Sequence, residues 1–332
     1  DPVLNKNFME TSNVWLRRFS ILTVLATLGL IFLGALVKSF EVGLSVPDWP
    51  TTYGYQMFAF PWSDMVGGIF YEHSHRMVAT FVGAMTLGLT IWLKISETRL
   101  NVKKLGYLAL ILVIAQGLLG GLTVMFFLPT VVSMIHGITA QTFLLIVILI
   151  AYALSKEYTK NNRKSDSNRT IVMVLFFAVY IQLILGAWMR HTESGLAIYD
   201  FPTIAGTWLP IFNEKMLSAI NDWRFDMDYT DASMAQVYIH FFHRVGACVV
   251  FVLTILMSYR LHLNRHEYSI KIQLNVFAII VFVCLQILLG ALTIWTAKGP
   301  IITSVHVMNG AIVMGLCFIL FLRMSDLTFL RE

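Results

Sequence analysis

The sequence predicts an all-α membrane protein with eight transmembrane helices, arranged as two pseudo-symmetric four-helix bundles in a parallel tandem repeat. The composition, eight long apolar runs and a loop motif that occurs twice support this prediction. Of the 332 residues, 57% are hydrophobic and only 13% are charged, whereas about 25% of the residues in a soluble domain are charged. Backbone groups in lipid must be satisfied within each segment, so the spans are predicted to be helices.

Eight apolar runs of about 20 residues are each long enough to cross a hydrocarbon core of roughly 30 Å. They cover residues 16–37, 72–94, 105–125, 131–154, 170–189, 237–259, 272–295 and 302–322. The first run is interpreted as a retained span rather than a signal peptide, because no small-residue cleavage site follows it.

The basic residues lie mainly on one side of the predicted membrane. If the loops alternate between the two sides, one side holds 17 of the 24 Lys and Arg residues. They lie in the N-terminal arm, in 94–104, 155–170 and 260–271, and in the C-terminal tail. This asymmetry indicates a multi-pass protein of the plasma or inner membrane with both termini in the cytoplasm. The net charge of +5 therefore reflects topology and does not indicate nucleic-acid binding.

A polar loop motif shows that the chain is a repeat. EVGLSVPDWPTTYG at 41–54 matches ESGLAIYDFPTIAG at 193–206, and QGLLGGLTV at 116–124 matches QILLGALTI at 286–294. Each repeat contains four spans, so both repeats run in the same direction through the membrane. The predicted domains are residues 1–160 and 161–332. The extra residues of the second outer loop include Asp222, Asp226, Asp228 and Asp231, which predict a solvated excursion.

Four of the nine histidines have matching positions. They are His75, His136, His243 and His306, on the second, fourth, sixth and eighth spans. Each is expected about one to two turns inside the outer end, roughly 5–9 Å deep. Ionisable side chains inside a membrane are costly and are therefore functional candidates, although a single such histidine is more often a hydrogen-bonded packing residue.

Two facing imidazoles suit the iron of a haem, which takes two axial ligands. Zinc would need three or four ligands at one point. The pattern therefore predicts two haem sites, with His75 and His136 as iron ligands in one half and His243 and His306 in the other.

The spans that precede these histidines each contain a small-residue step. The steps are FLGA at 32–35, LLGG at 118–121, ILGA at 184–187 and LLGA at 288–291. Glutamine stands one turn earlier in three of them, at Gln116, Gln182 and Gln286. Two interpretations remain open: close helix packing, or a flat cofactor lying against the helix.

The two halves differ at one position of this pattern. Glu72 and His240 occupy equivalent positions, three residues before a candidate ligand and on the same helical face. A carboxylate beside one haem only would make the N-terminal half catalytic, with Glu72, His75 and His136 as its site. Alternatively, Glu72 complements the helix N-terminus. Arg76 and Arg244 are candidates for pairing with haem propionates or for snorkelling.

These residues resemble the haem A synthases of bacteria and mitochondria along nearly the whole chain. The resemblance rests on ExxHR at 72–76, GLSVPDWP at 43–50 with its echo at 195–202, HR at 243–244, and the single His136 and His306. Some members carry cysteine pairs in the outer loops. Here the cysteines, Cys248, Cys284 and Cys317, all lie in predicted spans.

The resemblance implies a membrane oxidoreductase that oxidises a methyl group of haem O to the formyl group of haem A for cytochrome oxidase. It implies that His243 and His306 bind haem b, that His75 and His136 face the substrate haem O, and that Glu72 is the catalytic glutamate. Haem O synthase and a quinol or other electron donor are the candidate partners, within the lipid bilayer.

Two other classes of protein remain alternatives. A non-catalytic two-haem cytochrome carrying electrons from quinol explains the four histidines equally well, but it does not explain Glu72 opposite His240. A transporter with parallel repeats fits the topology, but it predicts polar residues near the midplane.

Overall fold

The fold is built from long apolar helices. The computed structural model of the protein describes residues 2–160 and 166–331. Among these residues, eight helices are long and apolar enough to cross a membrane, which confirms the eight predicted spans. The helices are α1 (Pro2–Ser39), α2 (Gly67–Ser96), α3 (Leu100–Met125), α4 (Thr130–Ala153), α5 (Lys156–Lys160), α6 (Arg169–His191), α7 (Glu214–Asp226), α8 (Met234–Leu263), α9 (Ile270–Trp295) and α10 (Pro300–Arg323). The helices α5 and α7 are too short to span.

The chain divides into two compact units. The first comprises Asp1–Val172 together with Gly315–Glu332, and the second comprises Met173–Met314. In the first unit α1 and α3 each pack against both α2 and α4, so the four spans form a closed ring. In the second unit α8 packs against α9, and side-chain contacts join α6 to α8 and α9 to α10.

Several threonines inside the spans satisfy their hydrogen bonds within the helices. The hydroxyls of Thr27, Thr86 and Thr254 each donate to the carbonyl oxygen four residues earlier. Thr90 does the same and also donates to the carbonyl oxygen of Gly106, at 2.9 Å. These bonds remove the cost of leaving a hydroxyl unpaired in an apolar environment. The Thr90 bond also draws α2 and α3 together.

Two helices begin earlier than the apolar runs indicate. Helix α2 starts at Gly67 and α8 starts at Met234, where Ser233 and Gln236 form a reciprocal capping box. His75 and His243 are therefore about 12–14 Å from their helix starts at 1.5 Å per residue, farther along the helix than the one to two turns that the apolar runs indicated. His136 and His306 each follow their helix start by six residues, or about 9 Å.

The insertion in the second outer loop is a packed helix, α7. Its predicted aspartates are exposed, but Ile220 is fully buried in a cluster with Ile198 and Val237. Arg224 donates from Nη1 to the carbonyl oxygen of Leu196 at 3.1 Å. The prediction of a solvated excursion is therefore correct for the aspartates and wrong for the opposite face of the helix. The buried face was not predicted because the aspartates made the whole segment look polar in the sequence.

Candidate functional site

Each of the four candidate histidines lies over a glycine of the preceding span. A methyl group placed on that glycine would come within 3.0–3.5 Å of the imidazole Cε1. The pairs are Gly34 with His75, Gly120 with His136, Gly186 with His243, and Gly290 with His306. All four glycines belong to the small-residue steps noted in the sequence. They admit an imidazole ring, a role that neither sequence interpretation included.

The histidines form two pairs, one in each unit. His75 lies within electrostatic range of His136, and His243 within electrostatic range of His306. In three of the four rings, Nδ1 is buried and has no hydrogen-bond partner; these are His75, His136 and His306. A buried polar atom without a partner is rare and requires an explanation. The described residues contain no group of three or more His, Cys, Asp or Glu suited to a metal ion.

Both histidines of the second unit are held by glutamines. The amide nitrogen of Gln182 donates to the carbonyl oxygen of His243 at 2.8 Å and lies 3.1 Å from its Nδ1. The amide nitrogen of Gln286 donates to the carbonyl oxygen of His306 at 3.1 Å and lies 3.3 Å from its Nε2. These contacts fix the position of the helix that carries each histidine.

Glu72 is buried and joins α2 to the first outer loop. Its side chain is only 3% exposed. One carboxylate oxygen accepts from the backbone N–H of Val46 at 2.8 Å, and the other accepts from Arg76 at 2.5 Å. Arg76 also donates to the carbonyl oxygens of Val46, Asp48 and Thr51 at 2.6–3.1 Å. The guanidinium of Arg76 is therefore engaged in holding the loop.

His240 occupies the same place in the second unit. Its Nδ1 lies 3.2 Å from the backbone nitrogen of Ile198, and its Nε2 lies 3.2 Å from Nε of Arg244. A neutral imidazole has a single acceptor nitrogen, so His240 accepts one of these two bonds at a time. Arg244 also donates to the carbonyl oxygens of Ile198, Asp200 and Thr203. An imidazole in one unit and a carboxylate in the other thus face equivalent donors, a loop N–H and an arginine four residues later, although only the carboxylate can accept from both at once. The loop residues that pair with them were not singled out from the sequence, although the repeated loop motif contains them.

Asp48 folds the tip of the first outer loop around its carboxylate. It accepts hydrogen bonds from the N–H groups of Tyr53 and Gly54 at 2.7 and 2.9 Å, and from the hydroxyl of Thr51 at 2.5 Å. Burial by itself would raise the pKa of Asp48, but these hydrogen bonds outweigh it and lower the pKa below its ordinary value. Asp200 makes the same three kinds of bond in the second loop.

The loop tip in the first unit also contacts α3. A methyl group placed on Gly121 would come within 2.7 Å of the indole of Trp49. The two glycines of LLGG therefore have different neighbours: Gly120 faces His136, and Gly121 faces Trp49. This double contact brings the loop close to the histidine pair.

These features define a polytopic membrane protein with paired buried histidines beneath ordered loops. Residues 17–318 match the family model COX15-CtaA, cytochrome oxidase assembly protein, and the chain belongs to this family. Its members include the haem A synthases, oxidoreductases that convert haem O to haem A for cytochrome oxidase.

Three similar relatives carry the name "Heme A synthase". The protein from Halalkalibacterium halodurans is 30% identical over 77% of this chain and 79% of its own length. The protein from Lysinibacillus sphaericus is 26% identical over 93% of this chain and 95% of its own length. The protein from Staphylococcus saprophyticus is 28% identical over 89% and 92%, respectively.

Proposed function

We propose that this chain is a haem A synthase in which His75 and His136 bind the substrate haem O and His243 and His306 bind a resident haem b. The supporting observation is the pairing of buried imidazoles, three of which leave Nδ1 without a partner. An iron ligand needs one free ring nitrogen, and its other ring atoms are usually oriented by neighbouring groups. His75, His136 and His306 meet this requirement at Nδ1. The amide nitrogen of Gln182 lies 3.1 and 3.5 Å from the two ring nitrogens of His243, so the His243 ring must turn away from this amide to bind iron.

The domain assignment follows from the same pairing. Residues 1–160 are assigned to the substrate half and residues 161–332 to the haem b half, although Gly315–Glu332 pack with the first compact unit. The equivalent bonds of Arg76 and Arg244 to their loops support a duplicated bundle, and four spans per half make the repeat parallel. The histidine pairs lie near the ends of the spans that face the outer side, and both termini lie in the cytoplasm, as the distribution of basic residues indicates.

The reaction consists of two successive hydroxylations of one methyl group, each of which adds one oxygen atom and removes two electrons from the carbon. The first gives an alcohol, and the second gives a gem-diol that loses water to form the aldehyde. With water as the oxygen source, two electrons and two protons leave to an acceptor at each step. With dioxygen as the source, a donor supplies two electrons at each step and the second oxygen atom becomes water. Haem b, when bound, supplies electron transfer, for which a quinol or another donor or acceptor is the candidate partner; haem O synthase is the candidate supplier of the substrate.

Glu72 is assigned to the substrate half as its catalytic carboxylate. It lies one turn before His75 on the same face of α2, which supports a position beside the haem that His75 would hold. Its carboxylate would accept or position a proton of the reacting group. The Arg76 contact and the Val46 N–H hold it in place.

Replacement of His243 or His306 by Ala tests the assignment. Each variant should insert normally and lose the low-spin spectrum of haem b, while the substrate half keeps its capacity to bind haem O. The haems extracted from purified wild-type protein should include haem B together with haem O, a hydroxylated haem or haem A by mass. Unchanged spectra in both variants would show that these histidines are not the ligands.

A further inference from the structure

The two histidine pairs are supported differently. In the second unit, the backbone carbonyl oxygen of each histidine accepts a hydrogen bond from the side-chain amide of a glutamine. The same amide nitrogen also lies beside the imidazole ring of that histidine. In the first unit the residue equivalent to Gln182 is Leu30, four positions before Gly34. Gln116 stands at the remaining position, but its buried amide nitrogen has no hydrogen-bond partner.

Glycines on the histidine helices make room for the two glutamines that bond. A methyl group on Gly246 would overlap the side-chain oxygen of Gln182. A methyl group on Gly310 would lie 3.3 Å from the amide nitrogen of Gln286. The equivalent residues of the first unit are Val78 and Ala140. The second unit therefore has both the glutamine–histidine bonds and the glycines that make room for them. The first unit has larger residues at the two glycine positions and lacks the bonds.

Asn309 completes the arrangement around His306. Its amide nitrogen donates to the side-chain oxygen of Gln286 at 2.6 Å and to the carbonyl oxygen of Phe282 at 3.0 Å. Because that oxygen is engaged, the amide nitrogen of Gln286 faces His306. The equivalent residue in the first unit is Thr139, whose hydroxyl donates to the carbonyl oxygen of Ile135.

We propose that these glutamine contacts lock the histidine pair of the second unit around a permanently bound haem, while the unlocked pair of the first unit binds and releases haem at every turnover. A substrate haem must enter and a product haem must leave, so the protein groups that hold it must give way in each cycle. A resident haem has no such requirement. The amide bonds of the two glutamines to the backbone carbonyl oxygens of His243 and His306 fix the positions of the helices that carry these histidines. In the described residues, no side-chain amide makes the corresponding bond to His75 or His136. This inference rests on the proposed function.

A reciprocal exchange of residues tests the proposal. The double variant Gln182→Leu, Gly246→Val gives the second unit the residues that the first unit has at these two positions. The double variant Leu30→Gln, Val78→Gly gives the first unit those of the second. The full chain, purified in detergent and loaded with haem, is mixed with excess apomyoglobin, and haem transfer is followed by absorbance. In the wild type, haem should leave the first unit at least about tenfold faster than it leaves the second, a difference of about 1.4 kcal/mol.

The exchanged variants should move the two rates toward each other. The second-unit variant should release haem b about tenfold faster, and the first-unit variant should retain its haem longer. Gln182→Met, which keeps the volume but removes the donor to the carbonyl oxygen of His243, should also speed release and shift the electron paramagnetic resonance signal of the low-spin haem, because the position of His243 is no longer fixed. If the double variants do not fold, the rate of haem release from Gln182→Met alone tests the proposal.

Two results must be kept apart. If His243→Ala removes haem b but all the glutamine variants release haem at wild-type rates with unchanged spectra, the lock does not exist and the ligand assignment stands. If His243→Ala and His306→Ala both keep haem b, the ligand assignment in the proposed function is wrong.

Discussion

At the scale of single residues, Glu72 and His240 show what a comparison of the two halves of one sequence can and cannot predict. Their equivalence is visible from the repeat, and so is the chemical difference between them. Their common role of anchoring a loop cannot be predicted from the sequence, because it depends on contacts with loop N–H groups about 26 and 42 residues away. Glu72 therefore has two candidate roles, loop anchoring and chemistry, and substitutions must separate them.

Glu72→His is the variant that does so. It copies the side chain that already anchors the second loop, so the loop contacts should persist while the carboxylate is lost. With a general acid–base role, haem A formation should fall by about a hundredfold or more, with haem O or a partly oxidised haem accumulating. Glu72→Gln, which keeps the shape and removes the titration, should do the same. Haem A is measured by mass in cells that depend on each variant.

The control is retention of haem b, which should be normal in both variants. Wild-type haem A in Glu72→His cells would leave Glu72 with the anchoring role alone.

At the scale of elements, the outer loops are ordered by a few side chains. The sequence predicted the loop motif and its duplication, but not that Asp48 and Asp200 would each gather three donors at the loop tip. Such contacts depend on backbone directions that no periodicity encodes. The same limit applies to α7, where a buried arginine and an apolar face lie behind exposed aspartates.

Asp48→Asn should loosen the tip of the first loop. One acceptor oxygen and the charge are lost, at a cost of about 0.5–1.5 kcal/mol, because the N–H donors of Tyr53 and Gly54 are exposed and water can replace the lost acceptor. Because the folded pKa of Asp48 is lowered, its contribution in the wild type is fully present above the unfolded value of about 3.9. That contribution is lost as the pH falls through the folded pKa. Hydrogen exchange of residues 48–56 measures both effects.

In Asp48→Asn the protection of this segment should be weaker and should lack that acid dependence, while the second loop stays unchanged. Asp200→Asn is the matched variant and should affect only the second loop. Equal protection of residues 48–56 in wild type and Asp48→Asn at neutral pH would contradict the assigned role.

At the scale of the whole molecule, the sequence predicted the eight spans, and the structure confirms them. Apolar length is a strong signal because the membrane imposes it directly. The family is likewise established, because its motifs recur along most of the chain. The glutamine contacts could not be predicted in the same way, since identical residues at Gln116 and Gln286 have different surroundings.

The predicted orientation can be tested by thiol labelling. After Cys248, Cys284 and Cys317 are replaced by serine, a cysteine at the exposed Ser63 or at Asp222 should react with an impermeant reagent on intact cells or spheroplasts. A cysteine at the exposed Asn264 should react only after lysis. The opposite pattern would invert the topology and place both histidine pairs near the cytoplasmic side.

The arginine contacts described above also bear on which changes the outer loops tolerate. Arg76 and Arg244 bind backbone carbonyl oxygens, which every residue type possesses. Replacing a loop side chain therefore leaves these acceptors in place, whereas inserting or deleting one residue moves them all out of register. The loops can diverge in sequence while their length between the anchored carbonyls stays fixed.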